Sequence, residues 1–386
     1  MEKRVLQDFA VWAKENLEKQ IEVSLKTLGI NSDTDIKSSK VMGDVTVIDG
    51  DSASYPASLH TDRQKIITLV KTEGYSTVIE EFAYTWFNRL IALRFMEIHN
   101  FLSHGFRVLS DPSGSIEPEI LKVLNLVKDE LKIDMNICAD LKSKNDVEGL
   151  FRYVLFCQCR ALSGILPMLF DEEAEYLQLL LPRILLKGDT VLTRLVAIPE
   201  EYFLEDVEIL GWMYQFYVSS DRKEFRDAKL VTKELIPTLT QVFTTDWIVR
   251  YMAENSLGRL WLESYPDSSL ADSMKYYVAD PEQPEEAKAK LEEIRYKNVN
   301  PKDIKIIEPC CGSGHILVYL FDLLFKMYEE KGYDTNDIPT FILQNNLFGL
   351  DVDKRAAQLA SFSLVMKCRS VNPRFFNEKY YTVPQV

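Results

Sequence analysis

The sequence Ile306-Ile-Glu-Pro-Cys-Cys-Gly-Ser-Gly-His315 decides the fold of the second half of the chain. Its two isoleucines predict a short buried strand, and its glycines predict a tight turn into a helix that begins near His315. A second apolar run, Leu347-Phe-Gly-Leu-Asp-Val-Asp353, predicts another strand that ends on Asp351. Together they predict a strand, a helix and a strand, with a glycine loop after the first strand and a carboxylate at the tip of the second.

The glycine loop is the first candidate binding site. Gly312 and Gly314 can adopt positive φ, which lets the backbone approach a ligand, and a helix N-terminus offers unpaired N–H groups. Ligands of open parallel sheets lie beyond the carboxyl ends of the strands, where Asp351 can accept hydrogen bonds from ribose hydroxyls. A dinucleotide loop reads G-x-G-x-x-G, but here no third glycine follows, and Glu308 ends the first strand. The pattern therefore favours an adenosine cofactor without a pyrophosphate.

Two short motifs and two longer stretches carry a resemblance to a known family. Residues 308–315 and 349–353 resemble the first two motifs of S-adenosylmethionine-dependent DNA methyltransferases of the adenine-N6 type. Residues 209–261 and 80–102 are similar to PglX-like adenine methyltransferases of phage defence, from the BREX and phage-growth-limitation systems, which are related to restriction-modification methyltransferases. The resemblance covers most of the chain. It implies S-adenosylmethionine as the cofactor and site-specific methylation of DNA adenine as the activity of the parent enzyme.

The resemblance also implies roles for individual residues. Asp351 would accept hydrogen bonds from the ribose, and Val352 would lie against the adenine. The other implied cofactor contacts surround the methionine portion: Glu308, Cys310, Gly312 and Gly314 in the loop, with Phe243 and Thr244 closing it. The family usually carries Thr-Pro where this chain has Thr244-Thr245, so the backbone there departs from the family pattern.

The residues that would carry out methyl transfer are not in this sequence. In the family, Asn/Asp-Pro-Pro-Tyr/Phe holds an adenine that has been rotated out of the duplex. The chain has no such tetrapeptide, and Asn372-Pro-Arg-Phe375 is interpreted as a turn. A third strand would begin to form within residues 380–386. We therefore expect an amino-terminal fragment, inactive alone, whose catalytic loop and main contacts with double-stranded DNA lie beyond residue 386.

The rest of the sequence predicts a mostly α-helical domain, residues 1–234, before a partial α/β Rossmann-like methyltransferase domain, residues 235–386. Residues 31–62 predict a loop with one short strand or hairpin arm. Apolar residues at helical spacing predict several helices. Their predicted ranges are residues 2–28, 64–102, 117–131, 146–162, 172–180, 190–198 and 204–217.

Isolated polar residues in the helical domain have structural explanations. Arg89 and Arg94 could contact phosphate, but salt bridges with Glu80, Glu81 or Glu97 are the preferred interpretation. His99 and His104 lack a neighbouring acid and nucleophile and are interpreted as structural. His315 is interpreted as a contact at the start of its helix, because direct methyl transfer needs no base there.

Composition limits the function classes. The net charge of −14 gives no basic nucleic-acid footprint. The six cysteines lack metal-ligand spacing, so reduced thiols and no metal site are predicted. No apolar run approaches the roughly 20 residues that span a bilayer, and the start lacks a signal peptide, so we expect a cytoplasmic protein without a membrane partner.

Two alternatives stay open, namely a non-catalytic helical module that binds proteins of a defence complex, and a methyltransferase acting on RNA or protein.

Overall fold

The computed structural model describes residues 3–49, 54–170, 176–205, 207–219, 244–377 and 379–386. By its internal contacts the chain divides into two units, Met1–Asp206 and Val207–Val386. The predicted boundary at residue 234 lies outside the described residues. The helix Glu208–Ser219, which the sequence analysis assigned to the first domain, packs against the helix Lys354–Val371 of the second unit.

Helices dominate the first unit, as predicted. They are α1 Lys3–Thr27, α2 His60–Glu73, α3 Tyr75–Ile98, α4 Leu124–Val127, α5 Met135–Ser143, α6 Val147–Ser163, α7 Leu177–Leu180, α8 Val191–Ala197 and α9 Glu200–Glu205. Short 3₁₀ turns cover Ala57–Leu59 and Glu119–Lys122. The continuous helix predicted over residues 64–102 is interrupted, because Gly74 has a φ of +95° and separates α2 from α3.

The first unit contains more β-structure than the sequence predicted. Strands β1 Ser39–Met42, β2 Val45–Ile48 and β3 Ser54–Pro56 form an antiparallel sheet in the order β1-β2-β3. Met42 pairs with Val45, so only Gly43 and Asp44 lie between the first two strands. A Gly-Asp dipeptide between β-forming residues is a hairpin signal. The sequence therefore contained a hairpin signal, but the prediction allowed for only one short strand or hairpin arm.

Helix α3 forms the centre of the first unit and packs against α1, α2, α8 and α9. Helix α3 is buried on nearly all sides, so some of its charged side chains are buried together with its apolar ones. The predicted ion pair between Arg94 and Glu97 is present, with Nη1 and Oε1 2.6 Å apart. Arg89 instead donates from Nε to the carbonyl of Leu169. The ring of His99 lies 2.8 Å from the Phe203 carbonyl, which supports its structural interpretation.

The second unit combines helices with two parallel strands. Its helices are α10 Glu208–Ser219, α11 Asp246–Ala253, α12 Arg259–Ser264, α13 Glu285–Ile294, α14 His315–Glu330, α15 Ile338–Asn345 and α16 Lys354–Val371. A π-helical turn, Glu254–Gly258, joins α11 to α12, and 3₁₀ turns cover Ser269–Ser273 and Pro301–Asp303. Its strands are β4 Ile306–Glu308 and β5 Leu347–Gly349.

The parallel strands have the arrangement that the sequence predicted. Ile306 pairs with Leu347 and Glu308 with Gly349, so the carboxyl ends of β4 and β5 lie side by side. Phe348 also forms a parallel bridge with Gln385, within the segment where a third strand was expected. The chain is thus a helical unit followed by a partial α/β unit. Within the described ranges, no helix combines the length and the apolar character needed to cross a bilayer.

Candidate cofactor site

Backbone hydrogen bonds hold the loop after β4 against the tip of β5. The N–H of Cys311 donates to the Leu350 carbonyl at 2.9 Å, and the N–H of Leu350 donates to the Glu308 carbonyl at the same distance. The N–H of Gly312 donates to Oδ2 of Asp351 at 2.8 Å. The structure therefore brings together Glu308, Gly312 and Asp351, which the sequence analysis placed in one cofactor site from positions some 40 residues apart.

The two loop glycines serve different purposes. Gly314 has a φ of +87°, and a Cβ there would lie 2.9 Å from Cα of Ala360 in α16, so its hydrogen allows two helices to pack closely. Gly312 has a φ of +54°, and a Cβ there would meet no atom within 4 Å. The backbone of Gly312 thus borders open space beside the Asp351 carboxylate, which is the kind of cradle that a ligand can enter.

Asp351 and Asp353 are held in different ways. Asp351 is half-buried, and its Oδ1 accepts the N–H of Asp353 at 2.9 Å. Asp353 is buried, caps α16 by accepting the N–H of Arg355, and accepts the hydroxyl of Tyr214 at 2.9 Å. The helix-capping role belongs to Asp353, which leaves Asp351 available at the tip of the strand.

Apolar and sulfur-containing side chains surround this tip. Val352 is 76% exposed and Leu350 is 57% exposed, so both offer apolar surface beside Asp351. Cys310 is exposed, and its N–H lies 3.2 Å from Oε1 of Glu308. The exposed Val352 is in a position where a flat ring could lie against it without displacing any core residue.

The loop lies in a negative electrostatic environment. Burial, followed by the nearby charges of Asp351 and Glu308, raises the pKa of the Cys311 thiol to about 12. Cys311 therefore stays a neutral thiol at physiological pH. The same carboxylates favour a ligand that offers hydroxyl or ammonium donors and a positive charge, and S-adenosylmethionine, with its sulfonium and ammonium groups, fits that requirement.

His315 connects the loop helix to two other segments of the second unit. Its Nδ1 lies 3.1 Å from the Thr244 carbonyl oxygen, and its Nε2 lies 2.8 Å from Oε1 of Glu208 in α10. Thr244, a predicted cofactor contact, is thus fixed beside the start of α14. Phe243, its predicted partner, lies outside the described residues. The interpretation of His315 as a helix-start contact agrees with this geometry.

Sequence reasoning missed Glu208, because no local pattern relates it to a histidine 107 positions later. Ligand-type atoms of Glu208, Asp246 and His315 lie within 4.8 Å of one another. Each is already engaged by the protein, since His315 bonds Glu208 and the Asp246 carboxylate accepts from Arg250 at 2.8 Å. The cluster is explained by these contacts, and the absence of a metal site stays a prediction.

The remaining predicted features can be placed in the same structure. Asn372 is buried, and its side-chain oxygen accepts the N–H of Arg374, which gives the turn that the sequence analysis expected. The six cysteines are free thiols. His104 contacts the side chain of Gln158, in agreement with a structural role.

Comparison with known proteins identifies the family. No protein-family model matches the chain. The chain is 41% identical over 376 residues to the adenine-specific methyltransferase BrxX of Escherichia coli O9:H4 (strain HS), covering 96% of this chain and 31% of that protein. It is 33% identical over 405 residues to the adenine-specific methyltransferase PglX of Lacticaseibacillus casei (strain Zhang), covering 97% and 33%. The chain spans about a third of the length of these relatives, and it belongs to the family of PglX-like adenine-specific methyltransferases.

Proposed function

We propose that this chain supplies the S-adenosylmethionine-binding part of a site-specific DNA adenine-N6 methyltransferase of phage defence. The proposal includes a Rossmann-like sheet, of which β4 and β5 form the described part. One observation carries it, namely the hydrogen bond from the Gly312 N–H to Asp351 beside open space. The names of the BrxX and PglX relatives support adenine as the methylated base.

In this proposal each residue has a defined task. The free acceptor positions of Asp351 would take the ribose hydroxyls, and exposed Val352 would cover one face of the adenine. The methionine portion would lie along the loop, where negative charge favours its cationic groups. The residues assigned to that portion are Glu308, Cys310, Gly312 and Gly314, with Thr244 and Phe243 closing the site. When bound, S-adenosylmethionine would supply the methyl group for transfer to the adenine amine.

The rest of the activity is proposed for the parent enzyme. The sequence contains no Asn/Asp-Pro-Pro-Tyr/Phe tetrapeptide. The chain's own residues would therefore bind and orient the cofactor, but they would not contact the adenine amine that accepts the methyl group. Double-stranded DNA and proteins of a defence complex are the proposed partners, engaged mainly through regions that the relatives possess in addition to the matched third.

Calorimetric titration of the whole chain with S-adenosylmethionine tests the proposal. Hydrogen bonds to a charged acceptor contribute about 1.5–3 kcal/mol, so Asp351→Ala should weaken binding by roughly ten- to a hundred-fold. Asp267→Ala removes an exposed carboxylate of the same unit and should leave the affinity unchanged. Circular dichroism confirms that each variant is folded.

Two results would count against the proposal. Equal affinity of the Asp351→Ala variant and the unmodified chain would remove the ribose assignment. A folded chain that binds no S-adenosylmethionine would show that the described residues do not form a working cofactor site by themselves. The variant Asp351→Asn separates the two tasks of this residue, since its amide oxygen can still accept the Gly312 N–H but carries no charge for the ribose.

A further inference from the structure

The ring of His315 lies between two hydrogen-bond acceptors. Its Nδ1 lies 3.1 Å from the carbonyl oxygen of Thr244, and its Nε2 lies 2.8 Å from Oε1 of Glu208. A backbone carbonyl has no proton to donate, and neither has an ionised carboxylate. A neutral imidazole carries one N–H, so it can satisfy only one of these partners. Two protons must therefore be shared between the ring and its two acceptors.

The second proton belongs on the ring of His315. A carboxylic acid gives up its proton at a lower pH than an imidazolium does, so a proton shared with Glu208 lies on the imidazole. The side chain of His315 is 9% exposed, which limits the access of water to its nitrogens. The pair is therefore an imidazolium and a carboxylate, with one N–H directed at each acceptor.

The charges that face His315 favour its protonated form. Glu208 lies on α10 and Asp246 on α11, and a carboxylate oxygen of each lies within 4.8 Å of a ring nitrogen. Arg250 pairs with Asp246 at 2.8 Å and offsets that charge, whereas no lysine or arginine of the described ranges pairs with Glu208. The other residues around the contact are uncharged, namely Val207, Gly211, Ser313, Val318 and Ser363.

The next titratable groups along α14 have contacts of their own. The hydroxyl of Tyr319 donates to Glu254 of the π-helical turn at 2.7 Å. Asp322 pairs with Lys367 of α16 at 2.9 Å. Glu208 is thus the acid that contacts the ring directly.

His104 of the first unit shows the opposite arrangement. Its Nδ1 accepts the N–H of Phe106 at 3.1 Å, and its Nε2 lies 2.8 Å from the side-chain oxygen of Gln158. One donor and one acceptor suit a neutral ring that is protonated on Nε2. The two histidines therefore differ in the number of protons that their partners require.

Loss of one proton would cost His315 one of its two contacts. A hydrogen bond to a charged carboxylate is stronger than one to a carbonyl, so the remaining N–H would stay on Nε2 and bond Glu208. The Nδ1 lone pair would then face the carbonyl oxygen of Thr244. The segment at Thr244 would lose its hydrogen bond to the start of α14.

We propose that Glu208 is a positioning residue of the cofactor site, which keeps His315 protonated so that the ring holds Thr244 in place for the methionine portion. This role rests on the proposed function, in which Thr244 contacts the cofactor. The affinity for S-adenosylmethionine is highest while the ring carries both protons. It falls as the pH rises and the ring loses one of them.

The variant Glu208→Gln separates this role from structural support. An amide offers both N–H donors and an oxygen acceptor, so a neutral His315 can accept from the glutamine at Nε2 and still donate to Thr244 from Nδ1. At about pH 6, below the usual titration of histidine, the variant and the unmodified chain should bind S-adenosylmethionine equally. At about pH 9 the variant should bind about fivefold more tightly, because only the unmodified chain has lost a hydrogen bond.

Calorimetric titration of the whole chain with S-adenosylmethionine from about pH 6 to about pH 9 measures this ratio. The α-amino group of the ligand titrates in the same range, so the two chains are compared with each other at each pH. Glu329→Gln removes an exposed carboxylate from the same helix as His315, and it should follow the unmodified chain throughout. Circular dichroism at each pH confirms that every chain is folded.

NMR of the histidine ring nitrogens gives a readout that needs no cofactor. The chain has four histidines, and the variants His315→Gln and His104→Gln assign the two signals of interest. At about pH 7.5 His315 should show two protonated nitrogens in the unmodified chain and one in Glu208→Gln. His104 should show a proton on Nε2 alone in both chains.

Two results would overturn the role of Glu208 alone. One is a neutral His315 ring in the unmodified chain at about pH 7.5. The other is S-adenosylmethionine binding with the same pH profile in the unmodified chain and in Glu208→Gln. A folded chain that binds no S-adenosylmethionine at any pH would instead overturn the proposed function, and the positioning role with it.

Discussion

Two carboxylates, Glu97 in the first unit and Asp351 in the second, both accept backbone N–H groups but differ in how many of their acceptor positions are filled. A carboxylate offers about four acceptor positions. Glu97 receives four donors, which are the N–H groups of Val108 and Leu109, the hydroxyl of Ser110 and Nη1 of Arg94. Asp351 receives two backbone N–H groups and no cation in the described part of the chain.

The difference lies in what each carboxylate leaves available. Glu97 is 5% exposed and its acceptor positions are filled, so it can only hold the fold together. Asp351 is half-buried, keeps free acceptor positions and borders the open space at Gly312. A partly satisfied carboxylate at a strand tip is therefore the better candidate for binding, and a fully satisfied one is the better candidate for stability.

The largest expected effect is at Glu97. Glu97→Ala leaves Arg94 as a buried cation without its main partner, and removing one member of a buried ion pair destabilises a fold by about 3–5 kcal/mol. Urea unfolding followed by circular dichroism measures the change. Glu80→Ala, an exposed acid on the same helix, should change the free energy of unfolding by less than about 0.5 kcal/mol. If Glu97→Ala lost as little unfolding free energy as Glu80→Ala, the conclusion that Glu97 holds the fold together would be wrong.

The loop glycines give the second largest effect. Gly314→Ala combines positive φ with a contact of 2.9 Å to Ala360, and we expect a loss of about 2–4 kcal/mol in stability. In Gly312→Ala the added methyl group would lie in open space, so the stability should fall by only about 1–2 kcal/mol, because of the positive φ. The affinity for S-adenosylmethionine should fall as well. Thermal unfolding and calorimetry of the matched pair measure both quantities. Equal destabilisation by the two variants would contradict this division of roles.

A variant at His315 tests whether Thr244 belongs to the candidate cofactor site. His315→Ala removes the ring contacts with Thr244 and Glu208, and we expect a loss of about 1–2 kcal/mol in stability. Because Thr244 would lose its anchor, the affinity for S-adenosylmethionine should fall as well. His104→Ala removes a comparable ring contact, with Gln158 of the first unit, and should leave that affinity intact. Cofactor affinity that is insensitive to His315→Ala would show that Thr244 is not part of the site.

The smallest effect at neutral pH is expected for Asp353→Asn. Burial would raise the pKa of Asp353, but the side-chain hydrogen bond and charge of Arg355, together with its backbone N–H and the Tyr214 hydroxyl, hold that pKa below its ordinary value. A carboxyl group with a lowered pKa stabilises the fold above its unfolded pKa, and this contribution is lost as the pH falls through the folded pKa. Asn also caps helices, so the variant should lose less than about 1 kcal/mol at pH 7.

Acid titration of stability tests this expectation. As the pH falls from about 5 through the lowered pKa of Asp353, the unfolding free energies of the unmodified chain and of Asp353→Asn should converge, because the advantage of the ionised carboxylate disappears. Asp353→Ala additionally loses the helix cap, which costs about 1 kcal/mol at every pH. A constant difference between Asp353→Asn and the unmodified chain across this range would mean that Asp353 does not titrate as described.

Local sequence patterns were sufficient for the strand, loop and helix of the second unit. Positive φ at Gly312 and Gly314, the start of α14 at His315 and the Asp353 cap follow from residue types whose backbone preferences act over a few positions. The family was also recognisable, because its motifs are contiguous. Sequence patterns indicated less of the small antiparallel sheet, since short exposed strands carry little periodicity and their pairing depends on the turn between them.

By itself the sequence determined the helical character of the first unit and the parallel β4–β5 pair, and it predicted one cofactor site for two acids and two glycines. Only the tertiary structure decided which polar groups are satisfied. It joined Glu208 to His315, filled the acceptor positions of Glu97 and left those of Asp351 partly free. The physical reason is that hydrogen-bond satisfaction depends on groups distant in the chain, whose approach is fixed by packing and not by local preference.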